Sequence, residues 1–190
     1  MLTGVNGRTA VFHPNWSNGS AGVRATRSLY QGYTYWEVPV LFVQIAVLCI
    51  EKTPITMIYL FQLKIRVSER VFGTSLMFGV ATSRARLHAN SFLNLLGEDQ
   101  HGWALSHKGY LFHKGRRTQY TEPFAENTST TIGILYDSNL GTLTYYKDGV
   151  SLGIAFAGLN KIEQPLYPAI CSTAARTEMT LVRVLRNFLK

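Results

Sequence analysis

Residues Asp137–Leu159 read D-S-N-L-G-T-L-T-Y-Y-K-D-G-V-S-L-G-I-A-F-A-G-L. Two runs, T-L-T-Y-Y and V-S-L-G-I-A-F, flank K-D-G. Their aromatic and β-branched content favours extended backbone. Asp148-Gly149 between them is a tight-turn signal, because a two-residue hairpin turn needs positive φ at both central positions. The stretch predicts an antiparallel hairpin.

Outward from this hairpin the texture repeats. A-V-F-H, A-G-V-R-A-T, Y-T-Y-W-E-V, G-T-S-L-M-F-G-V-A-T, G-W-A-L-S, Y-L-F-H-K, T-I-G-I-L-Y-D, L-Y-P-A-I-C-S-T and E-M-T-L-V-R-V are short strand-like runs. Turn residues separate them, as in the loop P-N-W-S-N-G-S at 14–20. S-F-L-N-L-L-G-E-D reads as a short helical turn or a loop with apolar anchors. Strands at such spacing indicate an all-β sandwich. With 190 residues there is room for one ordinary domain. Trp36 and Trp103 lie in apolar runs and read as core, whereas Trp16 lies in a polar loop and reads as exposed.

The chain is basic, with 19 Lys+Arg against 11 Asp+Glu, but its cations are scattered. No dense stripe with interleaved aromatics marks a nucleic-acid reader. Cys49 and Cys171 form neither a disulfide framework nor a metal motif. His13, His88, His101, His107 and His113 lack the spacing of metal ligands on one strand or helix. No nucleophile elbow or phosphate-binding glycine loop occurs. No catalytic residue, metal or cofactor is therefore expected. The opening M-L-T-G-V-N-G-R-T has no apolar run, so a cytoplasmic or nuclear protein is expected, with the sequons at Asn15, Asn18 and Asn127 unused.

The hairpin resembles the core hairpin of SPRY domains, where an Asp precedes G-T-L and a turn leads into L-G-x-A-F. Y-W-E-V (Tyr35–Val38), L-L-G-E-D-Q-H-G-W-A-L-S (Leu95–Ser106) and L-Y-P-A-I-C-S-T-A-A-R (Leu166–Arg176) follow in the matching order. Together they resemble the SPRY domain- and SOCS box-containing family, over about Val11 to Arg183. The resemblance implies a SPRY/B30.2-type antiparallel β-sandwich, here spanning residues 9–185. It also implies a module that holds a short peptide of a target protein among its loops. In the family a C-terminal SOCS box recruits elongins B and C and a cullin, so that the target is ubiquitinated. This chain ends R-V-L-R-N-F-L-K without a recognisable SOCS box, so elongin binding is not expected of it.

Residue by residue, the resemblance places the peptide site in four loops. His13, Pro14 and Asn15 stand at the first, with Trp16 beside them. Gly73 and Thr74 match the second. Phe92 replaces a tyrosine at the third, which removes a hydroxyl and keeps Leu95 and Leu96. Thr173, Ala174 and Ala175 replace a Val-Trp-Gly segment at the fourth, so an indole wall becomes methyl groups. A shallower pocket with a changed ligand preference is expected, centred near Pro14, Thr74 and Ala174.

One segment departs from the family. Pro39–Leu63, 25 residues of mostly apolar character, separates Y-W-E-V from K-I-R-V. A membrane span is disfavoured, because Glu51, Lys52 and Pro54 sit in its middle and a central charge costs about 2.5–3.5 kcal/mol on insertion. A surface loop would expose a large apolar patch, and a self-covering hairpin around E-K-T-P is the alternative. The favoured reading is a retained intron, since valine codons begin with GT and I-Y-L-F-Q is compatible with a pyrimidine-rich tract closing in CAG. By this reading residues 39–63 are an insertion foreign to the sandwich.

Overall fold

A computed structural model describes residues 2–3, 7–29, 56–66, 76–125, 129–175 and 177–189. The strands in chain order are β1 (Leu2–Thr3), β2 (Thr9–Phe12), β3 (Ser20–Arg24), β4 (Thr56–Arg66), β5 (Leu76–Ala81), β6 (His88–Ala89) and β7 (Gly102–Ser106). They continue with β8 (Tyr110–His113), β9 (Arg116–Gln119), β10 (Ser129–Asp137), β11 (Thr142–Lys147), β12 (Val150–Phe156), β13 (Tyr167–Ser172) and β14 (Thr177–Leu189). A 3-10 turn, Leu159–Lys161, follows β12.

Two antiparallel sheets form, ordered β1-β2-β14-β4-β10-β11-β12 and β6-β3-β13-β5-β7-β8-β9. The all-β sandwich expected from the sequence is the observed architecture. Among the described residues no helix is long and apolar enough to cross a membrane.

The opening hairpin forms as its residues dictate. Lys147 pairs with Val150 across a two-residue turn in which Asp148 has φ 49° and Gly149 φ 84°. At the other end, the Asp137 carboxylate accepts hydrogen bonds from the N–H groups of Asn139 at 2.9 Å and Leu140 at 3.0 Å. That local turn explains why an aspartate precedes G-T-L.

Alternation along the strands sorts side chains into two clusters. Between the sheets lie Phe12, Ile132, Ile134, Tyr136, Leu143 and Tyr145, against Phe78, Val80, Trp103, Leu105 and Ile170. Tyr145 ties the sheets together, its hydroxyl donating to the Phe78 carbonyl at 3.0 Å. The outer face of the second sheet carries Met77, Ala81, Ala104, Ala169 and Cys171, covered by Ala85, Ala89, Leu95 and Leu96 of the segment between β5 and β7. Both faces of β5 and β7 are thus buried, which is why they read as unbroken apolar runs. The L-L-G-E-D segment is a loop, with apolar anchors and no helical turn.

Two expectations need correction. Thr56–Leu63, assigned from sequence to the foreign insertion, belongs to β4, which sits between β14 and β10 within the first sheet. Periodicity alone does not separate a continuous apolar strand from other apolar segments. Residues 39–55, and Tyr35–Val38 with Trp36, lie outside the described residues. The sandwich also reaches beyond residues 9–185, since β1 pairs with β2 and β14 runs to Leu189.

His113 closes one seam of the sandwich. Its ring stacks on Trp103 at 4.5 Å, meets Phe156 edge-on at 6.5 Å, and donates from Nδ1 to the Gly102 carbonyl at 2.8 Å. Burial lowers its pKa, and the neighbouring Lys114 charge lowers it further, although the Gly102 hydrogen bond opposes them. The unfolded chain therefore takes up this proton first as pH falls. The stabilisation is complete above about pH 6.5 and is lost below it, towards the lowered folded value. Thermal midpoints should fall between about pH 7.5 and 5.5, and His113→Gln should fall less over the same interval. Identical slopes for the two proteins would rule this contribution out.

Candidate functional site

Three of the four loops singled out by sequence meet around the start of β3. The β2–β3 loop, residues 13–19, is tied to the β13–β14 turn at two points. His13 bonds through Nε2 to the Ser172 carbonyl at 3.1 Å, and Ser17 donates to the Thr173 carbonyl. His13 takes φ 47°, a left-handed conformation uncommon for a residue with a side chain. That backbone bend turns Pro14, Asn15 and Trp16 outward, and all three are exposed.

Ser20 performs the corresponding task for the β6–β7 loop. Its buried hydroxyl bonds the Ser91 carbonyl at 2.8 Å and the Leu93 carbonyl at 3.0 Å, and accepts from the Leu93 N–H at 2.7 Å. Phe92 lies between these anchored residues and points out. Gly19 permits the close approach: a Cβ there would stand 2.2 Å from the Ala89 carbonyl oxygen.

The result is a loop surface with two large apolar groups presented to solvent. Trp16 is 89% exposed and Phe92 52% exposed. Exposing a whole indole is unfavourable by the usual accounting of apolar surface, and aromatic anchors of this type carry much of the energy in protein interfaces.

The other expected contact residues sit differently. Thr173 is 2% and Ala174 7% exposed, and Leu95 is buried with Leu96 in the outer cluster of the second sheet. Ala174 belongs to the core between the sheets, so its methyl lines that core instead of a ligand pocket. The turn is held by hydroxyls: Ser172 accepts from the Ala174 N–H at 3.0 Å, and Thr177 donates to the Ala174 carbonyl at 3.1 Å. Ala175 is half-buried at its edge. Gly73 and Thr74 lie outside the described residues.

Sequence reasoning missed Ser17 and Ser20, the two hydroxyls that set the loop geometry. The available signal was a small polar residue on either side of a glycine, S-N-G-S, where side chains bond nearby backbone. Cys171 is close to this turn but buried on the outer face of the second sheet, and burial pushes its thiol up to about 12. It is protonated at neutral pH and offers no nucleophile.

Residues 58–183 match the family described as SPRY domain. The chain is 31% identical over 178 residues to SPRY domain-containing SOCS box protein 3 of Xenopus tropicalis, an alignment covering 93% of this chain and 41% of the relative. It is 31% identical over 121 residues to F-box/SPRY domain-containing protein 1 of Homo sapiens, covering 60% of this chain and 41% of that protein. The chain thus spans about two fifths of the length of these relatives. The SPRY domain of human HERC1 shares the fold, with a TM-score of 0.63 at 16% identity over 95% of this chain and 90% of that one.

Proposed function

The chain belongs to the SPRY domain family, and from that premise we propose that it recognises a short peptide of a target protein on the surface formed by the 13–16 loop and Phe92. A SPRY domain is a protein–protein interaction module. The observation that carries the reading is the exposure of Trp16 and Phe92 on two loops, one fixed by Ser17 to the β13–β14 turn and the other fixed by Ser20 to the start of β3. A rigid sandwich holding such loops keeps the ordering cost of binding low on the receptor side. Pro14 and Asn15 supply the rim of the surface. Thr173, Ala174 and Leu95 act beneath it as supports.

The relatives' names couple the domain once to a SOCS box and once to an F-box. We infer from this that target recognition is the role of the SPRY part, and that the complete protein serves as the substrate-recognition subunit of an elongin B/C and cullin ubiquitin ligase. Co-purification of elongins with the protein expressed from its native transcript supports the ligase role, and their absence removes it.

Peptides selected from a random library on this chain test the binding surface. Trp16→Ala and Phe92→Ala are each expected to weaken the selected peptides about tenfold or more, with the thermal midpoint unchanged because both side chains face solvent. Selected peptides indifferent to both substitutions would refute this placement.

A further inference from the structure

The opposite edge of the second sheet carries a surface that the peptide site does not use. The hairpin β8–β9 closes through Lys114 and Gly115, both at positive φ, and pairs His113 with Arg116, Phe112 with Arg117, Leu111 with Thr118 and Tyr110 with Gln119. In an antiparallel pair closed by a two-residue turn, the flanking residues bond each other and the pairs then alternate. His113 and Arg116 exchange hydrogen bonds. Arg117 and Gln119 therefore aim their N–H and C=O groups away from β8, along the free edge of the sheet.

All four residues of β9 are exposed, and the strand ends its sheet. Its charge is unbalanced. The carboxylates of the segment that bonds the β8–β9 turn through the Gly97 and Asp99 carbonyls are engaged elsewhere: Glu98 takes both oxygens to Arg86 at 2.6 and 2.7 Å, and Asp99 accepts from the His101 N–H at 2.7 Å. Among the described residues Arg86–Glu98 is the ion pair found, so Arg116 and Arg117 have no acidic partner there. Arg117 is held in place with its guanidinium 5.3 Å from the centre of the Tyr110 ring.

Cationic residues on an edge strand guard against pairing with another edge. The guard is selective by sign. A second copy of this chain would bring Arg against Arg, whereas an acidic strand would meet complementary charge at the same register. We propose that β9 is a docking edge for an extended acidic segment of a protein partner, which adds to the second sheet as a further strand. The outward N–H and C=O groups of Arg117 and Gln119 provide the backbone ladder, and Arg116 and Arg117 select acidic side chains. This surface is separate from Trp16 and Phe92, and neither proposal depends on the other.

The test uses the isotope-labelled chain with a short synthetic peptide alternating glutamate and threonine, a lysine–threonine counterpart, and a single-stranded oligonucleotide of matched charge. The acidic peptide is expected to shift the Arg117 and Gln119 amide resonances and slow their hydrogen exchange, while the lysine peptide does neither. The double variant Arg116→Glu, Arg117→Glu should lose about tenfold or more in affinity for it. The Trp16→Ala variant should bind it normally. Equal binding of both peptides, shifts confined to other loops, or no shift at all overturns the proposal. So does an oligonucleotide that displaces the peptide from these amides without slowing their exchange. Self-association of the chain through β9 overturns it in favour of a second copy.

Discussion

Alanine at Gly97 is expected to destabilise the domain by about 3–5 kcal/mol, combining backbone strain with overpacking. Gly97 has φ +89°, where a side chain is strained, and a Cβ built there would stand 2.4 Å from the Phe112 carbonyl oxygen and 2.5 Å from its carbon. Those are backbone atoms of β8, which cannot swing aside as a side chain would. The Gly97 carbonyl also accepts from the Gly115 N–H at 2.8 Å, so its displacement pulls on the β8–β9 turn. Leu95 and Leu96, which cover the outer face of the second sheet, immediately precede it. Gly149→Ala is the matched control. Its φ of +84° carries similar strain, but no atom lies within 4 Å of the new Cβ, so about 1 kcal/mol is expected. Urea midpoints of the two variants measure the difference. Equal losses would mean that the close approach to Phe112 is not a real constraint.

Gly97 also illustrates what the sequence allows to be read. L-L-G-E-D was legible as a family motif, but the reason for its glycine was not, because the Phe112 carbonyl lies fifteen residues away in sequence across a loop. Some local chemistry was legible. Asp148-Gly149 makes the turn it predicts, Trp103 is core, and Trp16 in its polar loop is exposed. The candidate site was legible only to the level of loops. Which side chains face out depends on Ser17, Ser20 and the Ser172–Thr177 hydroxyls, whose partners are supplied by distant strands. Thr173 and Ala174 thus belong to the right turn but face inward. The apolar segment failed for a different reason. An apolar run of this length carries no periodic signal of its own, so Thr56–Leu63 resembled foreign sequence although it forms part of the first sheet.

Proline at Phe61 is expected to abolish cooperative folding of the full chain, whereas excision of residues 39–63 is expected to preserve it. β4 lies between β10 and β14, with Phe61 opposite Ile134 on one side and Val184 on the other. Hydrogen bonds are therefore directed to both neighbours, and proline removes one donor from a strand with no free edge. A loss of about 3 kcal/mol or more is a large share of the 5–15 kcal/mol that stabilises most domains. Excision joins Val38 to Lys64 and brings Y-T-Y-W-E-V into the register now held by I-Y-L-F-Q-L. Trp36 then takes the place of Phe61, Glu37 that of Gln62 and Val38 that of Leu63, so aromatic, polar and aliphatic positions keep their order. The family match begins at residue 58 and so includes Ile58–Leu63, which makes the shortened chain the decisive comparison. In the shortened chain, Trp36→Pro should reproduce the effect of Phe61→Pro in the full chain. Thermal unfolding of all four proteins decides the matter. A shortened chain without a cooperative transition would mean that Ile58–Leu63 is irreplaceable and that residues 39–63 are native to the fold.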